Sequence, residues 1–361
     1  MIIEQLNLKD FRNFKEVSLD FDSAAVIFEG ANGQGKTSLL ESIFYLANLR
    51  SFRTSRIQEL KRIGAMSFQL SLIFTRPPGW KSFLEVEAGN VRSLQLDHTP
   101  VSKASDFTGK IKTVAFLPDD PLIINGPSIL RRRFFDMFIS MLDREYFTAL
   151  QNYSSVLRSR NFLLKNKNRD RDILYSYSSV LADSGSLIVR KRKAYCSMLS
   201  DLMHEMIGEI CPSLAEFGIR MRYLKDTEEK ESYLKKTDAE QSKDIFRGFT
   251  SFGPHLDDFE FTHATKNLRS FGSRGQCRMA SLVLKLAELE AVRRTQGALK
   301  DTVVLVDDAT GDLDTRTKEA FLAKIASAGQ TFFALTEVSE DLNLKKARRF
   351  RIVSGSVRND F

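Results

Sequence analysis

Gly30-Ala31-Asn32-Gly33-Gln34-Gly35-Lys36-Thr37 fits the pattern G-x-x-x-x-G-K-[ST] at every position. Ahead of it, Ala25-Val26-Ile27-Phe28 reads as a buried strand. Behind it, Ser38-Leu39-Leu40-Glu41-Ser42-Ile43-Phe44-Tyr45-Leu46 places apolar residues at helical spacing. Strand, glycine-rich turn and helix start form the setting in which this pattern cradles phosphates. The glycines let successive N–H groups face the anion, and the positive end of the helix adds a favourable field. Lys36 reaches the outer phosphates, and Thr37 offers its hydroxyl to magnesium. Gly30 through Thr37 are the candidate contacts to a nucleoside triphosphate.

Outward from this loop, the N-terminal part alternates like an antiparallel sheet, over Met1 to Leu8, Val17 to Phe21, Ser67 to Phe74, Phe83 to Ala88 and Val91 to Leu96. From about Ser128 the period becomes helical. One stripe runs from Phe134 through Phe138, Leu142, Tyr146 and Leu150 to Tyr153, and a second from Tyr177 to Leu202. Such stripes are core faces, because an amphipathic helix needs one in order to pack. A helix from about Gly275 to Arg294 precedes Thr302-Val303-Val304-Leu305-Val306, which reads as a parallel strand buried on both faces. The helix Thr315 to Ala326, the strand Thr331 to Leu335 and a last strand near Phe350 to Val353 complete an α/β fold with a helical insertion. Residues 1–125 and 296–361 are expected to form the nucleotide-binding lobe, and 126–295 the inserted helical lobe.

The strand Val303 to Val306 ends in Asp307 and Asp308, as expected where magnesium and the attacking water are held beside a phosphate loop. Asp307 is the candidate magnesium partner together with Thr37. Asp308 is the candidate catalytic residue that orients or deprotonates water. Ser273-Arg274-Gly275-Gln276 opens a helix whose first N–H groups make a second anion site, with Ser273, Gly275 and Gln276 as its residues. Phosphate loop, helical insertion, Ser-x-Gly-Gln helix and Asp-Asp strand, in that order, resemble an ABC-type ATPase head. In such heads the signature helix reaches the γ-phosphate of a facing subunit, which couples dimerisation to ATP.

Longer blocks resemble the RecF family of bacterial recombination and gap-repair ATPases. They are Leu8-Lys9-Asp10-Phe11-Arg12-Asn13-Phe14, Arg50-Ser51-Phe52-Arg53-Thr54 and Phe116-Leu117-Pro118-Asp119-Asp120 followed by Gly126-Pro127. Arg131-Arg132-Arg133-Phe134-Phe135-Asp136 and Ser251-Phe252-Gly253-Pro254-His255-Leu256-Asp257-Asp258 extend the match nearly end to end. The resemblance implies ATP and Mg²⁺ as cofactors, slow DNA-coupled ATP hydrolysis, and an ATP-sandwiched homodimer on double-stranded or gapped DNA. It also implies cooperation with RecR and RecO to place RecA. Leu256 departs from the family's arginine after Gly-Pro-His. Gly311-Asp312-Leu313-Asp314 departs from its Ser-Glu-Leu-Asp, and Thr336 stands where transporter ATPases carry a switch histidine.

Hydrophobic content of 42% with 28% charged residues excludes wholesale disorder, and no apolar run is long enough for a membrane helix. The start of the chain lacks the basic flank and apolar core of a signal peptide. Cys196, Cys211 and Cys277 supply neither a zinc nor a disulfide framework, so a cytoplasmic protein without a membrane partner is expected. A formal charge of +8 favours an anionic macromolecular partner. The basic residues bunch at Arg131, Arg132 and Arg133, from Arg158 to Arg171, from Arg190 to Lys193, and from Lys345 to Arg351. The first of these clusters supplies the candidate DNA contacts. A small-molecule kinase built on the same loop, or the ATPase subunit of a transporter, stays open as an alternative at this point.

Overall fold

The structure is a computed structural model that describes residues 1–76, 78–166, 170–216, 218–225, 228–296, 302–308, 313–337 and 347–359. The chain divides into two compact units, residues 1–118 with 292–361 and residues 119–291.

Unit 1 opens with β1 (Ile2–Phe11) and β2 (Phe14–Asp20), a hairpin in which Phe11 faces Phe14 across the turn. Next come β3 (Ala25–Glu29), α1 (Lys36–Asn48), β4 (Phe68–Arg76), β5 (Trp80–Ala88), β6 (Arg92–Leu96), β7 (Thr99–Pro100) and β8 (Lys112–Phe116). The antiparallel sheet has the order β2-β1-β4-β5-β6-β7, and the alternation read in the sequence is its pleat. β8 was not expected. Its five residues Lys-Thr-Val-Ala-Phe give no alternation, because it is a nearly buried parallel strand.

Unit 2 contains α2 (Ser128–Leu142), α3 (Arg144–Lys165), α4 (Arg171–Ile210), β9 (Ile219–Tyr223), α5 (Lys230–Ala239), α6 (Gln241–Arg247), β10 (Phe259–His263), β11 (Lys266–Asn267) and the start of α7 (Arg274–Gln296). The stripe from Phe134 to Tyr153 belongs to two helices and not to one. Asp143 adopts an extended backbone and accepts from Tyr146 N at 3.0 Å, so it ends α2 and caps α3. The short helix Pro121–Asn125 also belongs here, because Arg131 Nη1 donates to Ile123 O, Ile124 O and Gly126 O at 3.4, 3.3 and 2.8 Å. The second unit begins at Asp119, where the sequence reading starts the insertion at 126.

The chain returns to unit 1 with β12 (Thr302–Asp307), α8 (Thr315–Ile325), β13 (Gln330–Leu335), β14 (Arg348–Val353) and β15 (Ser356–Asn359). The second sheet of this unit has the order β15-β14-β3-β13-β12-β8, parallel except for the β14-β15 hairpin. Every residue of β12 and β13 is buried, in keeping with their continuous apolar runs. Because β8 pairs with β12, the chain leaves this sheet after Phe116 and re-enters on the neighbouring strand at Thr302.

Each of the first three basic clusters buries one arginine in unit 2, namely Arg131, Arg160 and Arg192, while Arg158, Lys165, Arg171, Arg190 and Lys193 are exposed. Arg131 is 1% exposed, and its guanidinium forks onto Asp258, with Nε on Oδ1 at 2.6 Å and Nη2 on Oδ2 at 2.9 Å. Arg132 is half-buried and donates to Ser128 Oγ at 2.9 Å and Asp257 O at 2.7 Å. Arg192 is buried on Asp136 at 2.7 Å and on Pro254 O at 2.7 Å, while Lys191 bridges Asp143 and Glu145. Arg131 is thus turned inward, its donors on Asp258 and on the carbonyls of Ile123, Ile124 and Gly126, whereas DNA contact by the half-buried Arg132 and Arg133 stays a proposal. Arg133 is half-buried on the same helix. Lys345, with Lys346, and the stretch 167–169 lie outside the described residues.

Removing one partner of a buried pair leaves an uncompensated charge, so Arg131→Ala should destabilise the protein by about 3–5 kcal/mol in urea unfolding. An arginine on a phosphate adds about one to the log–log salt slope of DNA binding. The slope of the folded Arg131→Ala protein should stay at the native value.

Candidate nucleotide-binding site

The phosphate loop leaves the carboxyl end of β3 and enters α1, at the edge of a parallel sheet where such sheets bind ligands. Two glycines are required by geometry. Gly30 has φ +155°, and a Cβ there would stand 2.4 Å from Ile352 O; Gly35 has φ +120°, and a Cβ would stand 2.7 Å from the Asn13 side chain and the Phe14 ring. Neighbouring segments hold the rest of the loop. Asn13 Nδ2 donates to Gln34 O at 2.8 Å, Gly355 N donates to the same oxygen at 3.2 Å, and Ser354 N donates to Gln34 Oε1 at 2.6 Å. Thr336 Oγ1 lies 3.3 Å from Asn32 Oδ1, so the residue in the switch position touches the loop. Ala31, Asn32 and Gly33 stay exposed at its centre.

Lys36 is buried at the first turn of α1, and its Nζ donates to Gly30 O at 2.6 Å and Ala31 O at 2.9 Å. Burial pulls its pKa below the ordinary lysine value, and the charges of Asp307 and Asp308 oppose that shift. Thr37 Oγ1 donates to Asp307 Oδ1 at 2.9 Å. Asp307 is 7% exposed. Burial, opposed in part by the Thr37 hydrogen bond, holds its carboxyl above the usual range; the neighbouring Asp308 adds to the rise, and Arg53 and Lys36 lower it. Asp308 is exposed, with φ +47°, a left-handed conformation that short polar residues tolerate, and its N–H donates to Ala334 O at 3.1 Å.

These donors suit magnesium, which binds through one or two carboxylates completed by nucleotide phosphates instead of an all-protein cage. Thr37 and Asp307 supply hard oxygens side by side. Among the described residues, no group of three or more His, Cys, Asp or Glu side chains could hold a metal ion by itself.

A second layer escaped the sequence reading. Arg12 forks onto the fully buried Glu41 of α1, with Nε on Oε2 and Nη2 on Oε1 at 2.8 Å each. Ser51 Oγ also donates to Glu41, and it accepts from Arg53 N at 2.9 Å and Thr54 N at 3.0 Å. Glu41 thus ties the Arg12 block to the Arg50–Thr54 block and positions the exposed Arg53, whose charge acts on Asp307. The signal was the pair of motif blocks flanking one helix; a buried glutamate inside an apolar stripe gave no sign of its partner.

Ser273 and Gln276, in unit 2, form a reciprocal capping box. Ser273 Oγ accepts from Gln276 N at 3.1 Å, and Gln276 Oε1 accepts from Ser273 N at 2.9 Å. Ser273, Arg274 and Gly275 are exposed, and a Cβ on Gly275 would meet only Ser273 Oγ, at 3.9 Å. Gly311 and Asp312 lie outside the described residues; Asp314 caps α8, accepting from Thr317 N at 2.9 Å. Leu256 is exposed beside the buried Pro254 and Asp257.

The model of the RecF/RecN/SMC N-terminal domain family matches residues 2–354. The DNA replication and repair protein RecF of Leptospira interrogans is 32% identical over 351 residues, covering 94% of this chain and 92% of that protein. The chain belongs to the RecF family. A solved structure of the recombination mediator protein RecF with ATP in the RecFOR pathway superposes with a TM-score of 0.90 at 28% identity, covering 99% of this chain and 97% of that one. The Smc head of Pyrococcus furiosus, at 16% identity and a TM-score of 0.54 over 99% of this chain and 95% of that one, shares the ABC-type ATPase fold. Membership of the RecF family over the whole length sets aside the kinase and transporter-subunit readings. No helix among the described residues is long and apolar enough to cross a membrane.

Because the folded chain binds the Asp307 proton more tightly than the unfolded chain, ionising this carboxyl costs stability. The cost is absent below the ordinary carboxylate range and grows as pH rises through the raised value. Nucleotide-free Asp307→Asn should therefore melt above the native protein at neutral pH and converge with it in acid, as thermal midpoints across pH will show.

Proposed function

We propose that this RecF-family chain is an ATP-dependent DNA clamp of gap repair and replication restart. Two copies close over two ATP molecules on double-stranded or gapped DNA, act with RecR and RecO to place RecA, and open on hydrolysis. One observation carries the nucleotide half: the Thr37 to Asp307 hydrogen bond of 2.9 Å beside the buried Lys36. The relatives' names, DNA replication and repair protein and recombination mediator with ATP, support the rest.

In this reading, N–H groups of Gly33 to Thr37 and the Lys36 ammonium bind the β- and γ-phosphates, so the triphosphate is held by dipoles that are already oriented. Thr37 and Asp307 would hold Mg²⁺, which would supply charge neutralisation at the phosphates. Asp308 accepts a hydrogen bond from the attacking water and takes its proton, a role its exposed position at the strand end permits. Ser273 and the first N–H groups of α7 act on the γ-phosphate held by the other copy. A capped helix end already satisfies its own donors in part, so this contact adds to a preformed turn and does not have to order one.

Asp308→Asn should keep the ATP-dependent dimer in sedimentation while turnover falls by about 10²–10⁴-fold, the usual contribution of a general base. A dimer of this variant that turns over at the native rate contradicts the assignment of Asp308.

A further inference from the structure

Not every aromatic in the basic helices packs inward. Phe134, Phe135, Phe138, Tyr146 and Tyr153 are core residues of unit 2, but Phe162 of α3 is 67% exposed, Phe246 of α6 is 91% exposed and Phe249 just beyond is 46% exposed. Their backbones are fastened together. Asn161 Oδ1 accepts from Thr250 N at 2.8 Å and Thr250 Oγ1 at 2.7 Å, and Arg160 Nη1 donates to Asp244 Oδ2 and Thr250 Oγ1 at 2.7 Å each. A Cβ on Gly248 would lie 3.9 Å from Leu164 O and from Lys165 Cα. The turn carrying Phe246 and Phe249 is thereby seated on the last turns of α3, next to Phe162.

Cations flank the rings in both segments. Arg158, Phe162 and Lys165 are exposed and fall four and three residues apart, so they share one face of α3, and Arg247 is exposed between the other two rings. The carboxylates of these segments are already engaged. Asp244 is fully buried on Arg160 and Ser251, and Glu240 is held by Lys243 and Ser251. Exposed planar rings interleaved with cations match the chemistry of unpaired bases on a phosphate backbone. Such sites stack each base on an aromatic face and track the backbone with Lys and Arg. A duplex hides its base faces and would leave the phenylalanines without partners.

We propose that Phe162, Phe246 and Phe249, with Arg158, Lys165 and Arg247, form a single-stranded DNA platform on unit 2. This goes beyond the clamp reading, with which it shares only DNA as ligand.

The test is fluorescence anisotropy of the full-length protein, in the presence of ATP and Mg²⁺, with a fluorescein-labelled oligothymidylate and, separately, with a labelled duplex. Native protein is compared with the three single alanine variants, the triple alanine variant, and triple leucine and triple tryptophan variants. Each alanine should weaken single-strand binding at least about fivefold, tryptophan should retain it, leucine should lose it, and duplex affinity should hold within about twofold. The rings are exposed, so thermal midpoints should match the native protein. Unchanged single-strand affinity in the triple alanine variant overturns the platform and leaves the clamp reading intact. Retention by leucine also overturns it, because that marks an apolar protein-binding surface. Native protein that binds neither probe overturns both readings.

Discussion

The hydrogen bond from Thr37 to Asp307, on which the proposed nucleotide site rests, depends on the order of three parallel strands. β13 lies between β3 and β12, with Leu335 opposite Glu29 and Ala334 opposite Asp307. Gly30 N donates to Leu335 O at 3.3 Å and Asp308 N to Ala334 O at 3.1 Å, so the phosphate loop and the acidic strand end are both tied to the end of β13. All six residues of β12 and all six of β13 are buried, which makes a slip in register costly and keeps a carboxyl where burial alone would favour its neutral form. The cost of holding that charge is offset in part by Thr37, Arg53 and Lys36, and falls where the proposed function places a magnesium ion.

The helical insertion rests on a different constraint. Three arginines, Arg131, Arg160 and Arg192, are its largest fully buried side chains, and each finds a carboxylate from another segment: Asp258, Asp244 and Asp136. Burying a guanidinium is costly unless its donors are used, so Arg131 and Arg192 fix how the Gly-Pro-His-Leu-Asp-Asp turn meets α2 and α4, while Arg160, with only Nη1 bonded, ties α3 to α6. This accounts for the presence of both motif blocks in one chain. They are the two halves of one internal ion-pair system, and the apparent anion footprint of Arg131 to Arg133 is in large part its structural half.

Patterns with one physical meaning were legible in the sequence. The glycine-lysine-threonine loop, the unbroken apolar run before Asp307 and Asp308, and the pleat of the N-terminal sheet carry periods or spacings that only one local structure satisfies. β8 was missed because a buried five-residue strand has no period. The break at Asp143 was missed because the apolar stripe continues on both sides of a capping residue. Arginine direction was also invisible: Arg131 and Arg158 look alike in a sequence, and only tertiary partners turn the first inward. Glu41, at the centre of the layer behind the phosphate loop, was hidden for the same reason.

The central claim is that one triphosphate is shared by Lys36 of one copy and Ser273 of the other. Complementation tests it most directly, using Lys36→Ala and Ser273→Asp chains sedimented alone and mixed in the presence of ATP. Aspartate keeps the helix cap while placing a negative charge against the phosphate. Neither variant alone should form the ATP-dependent dimer. The mixture should form it, because a mixed pair contains one site with both native groups. Failure of the mixture to associate, or an ATP-dependent dimer from the Ser273→Asp chain alone, would contradict the account.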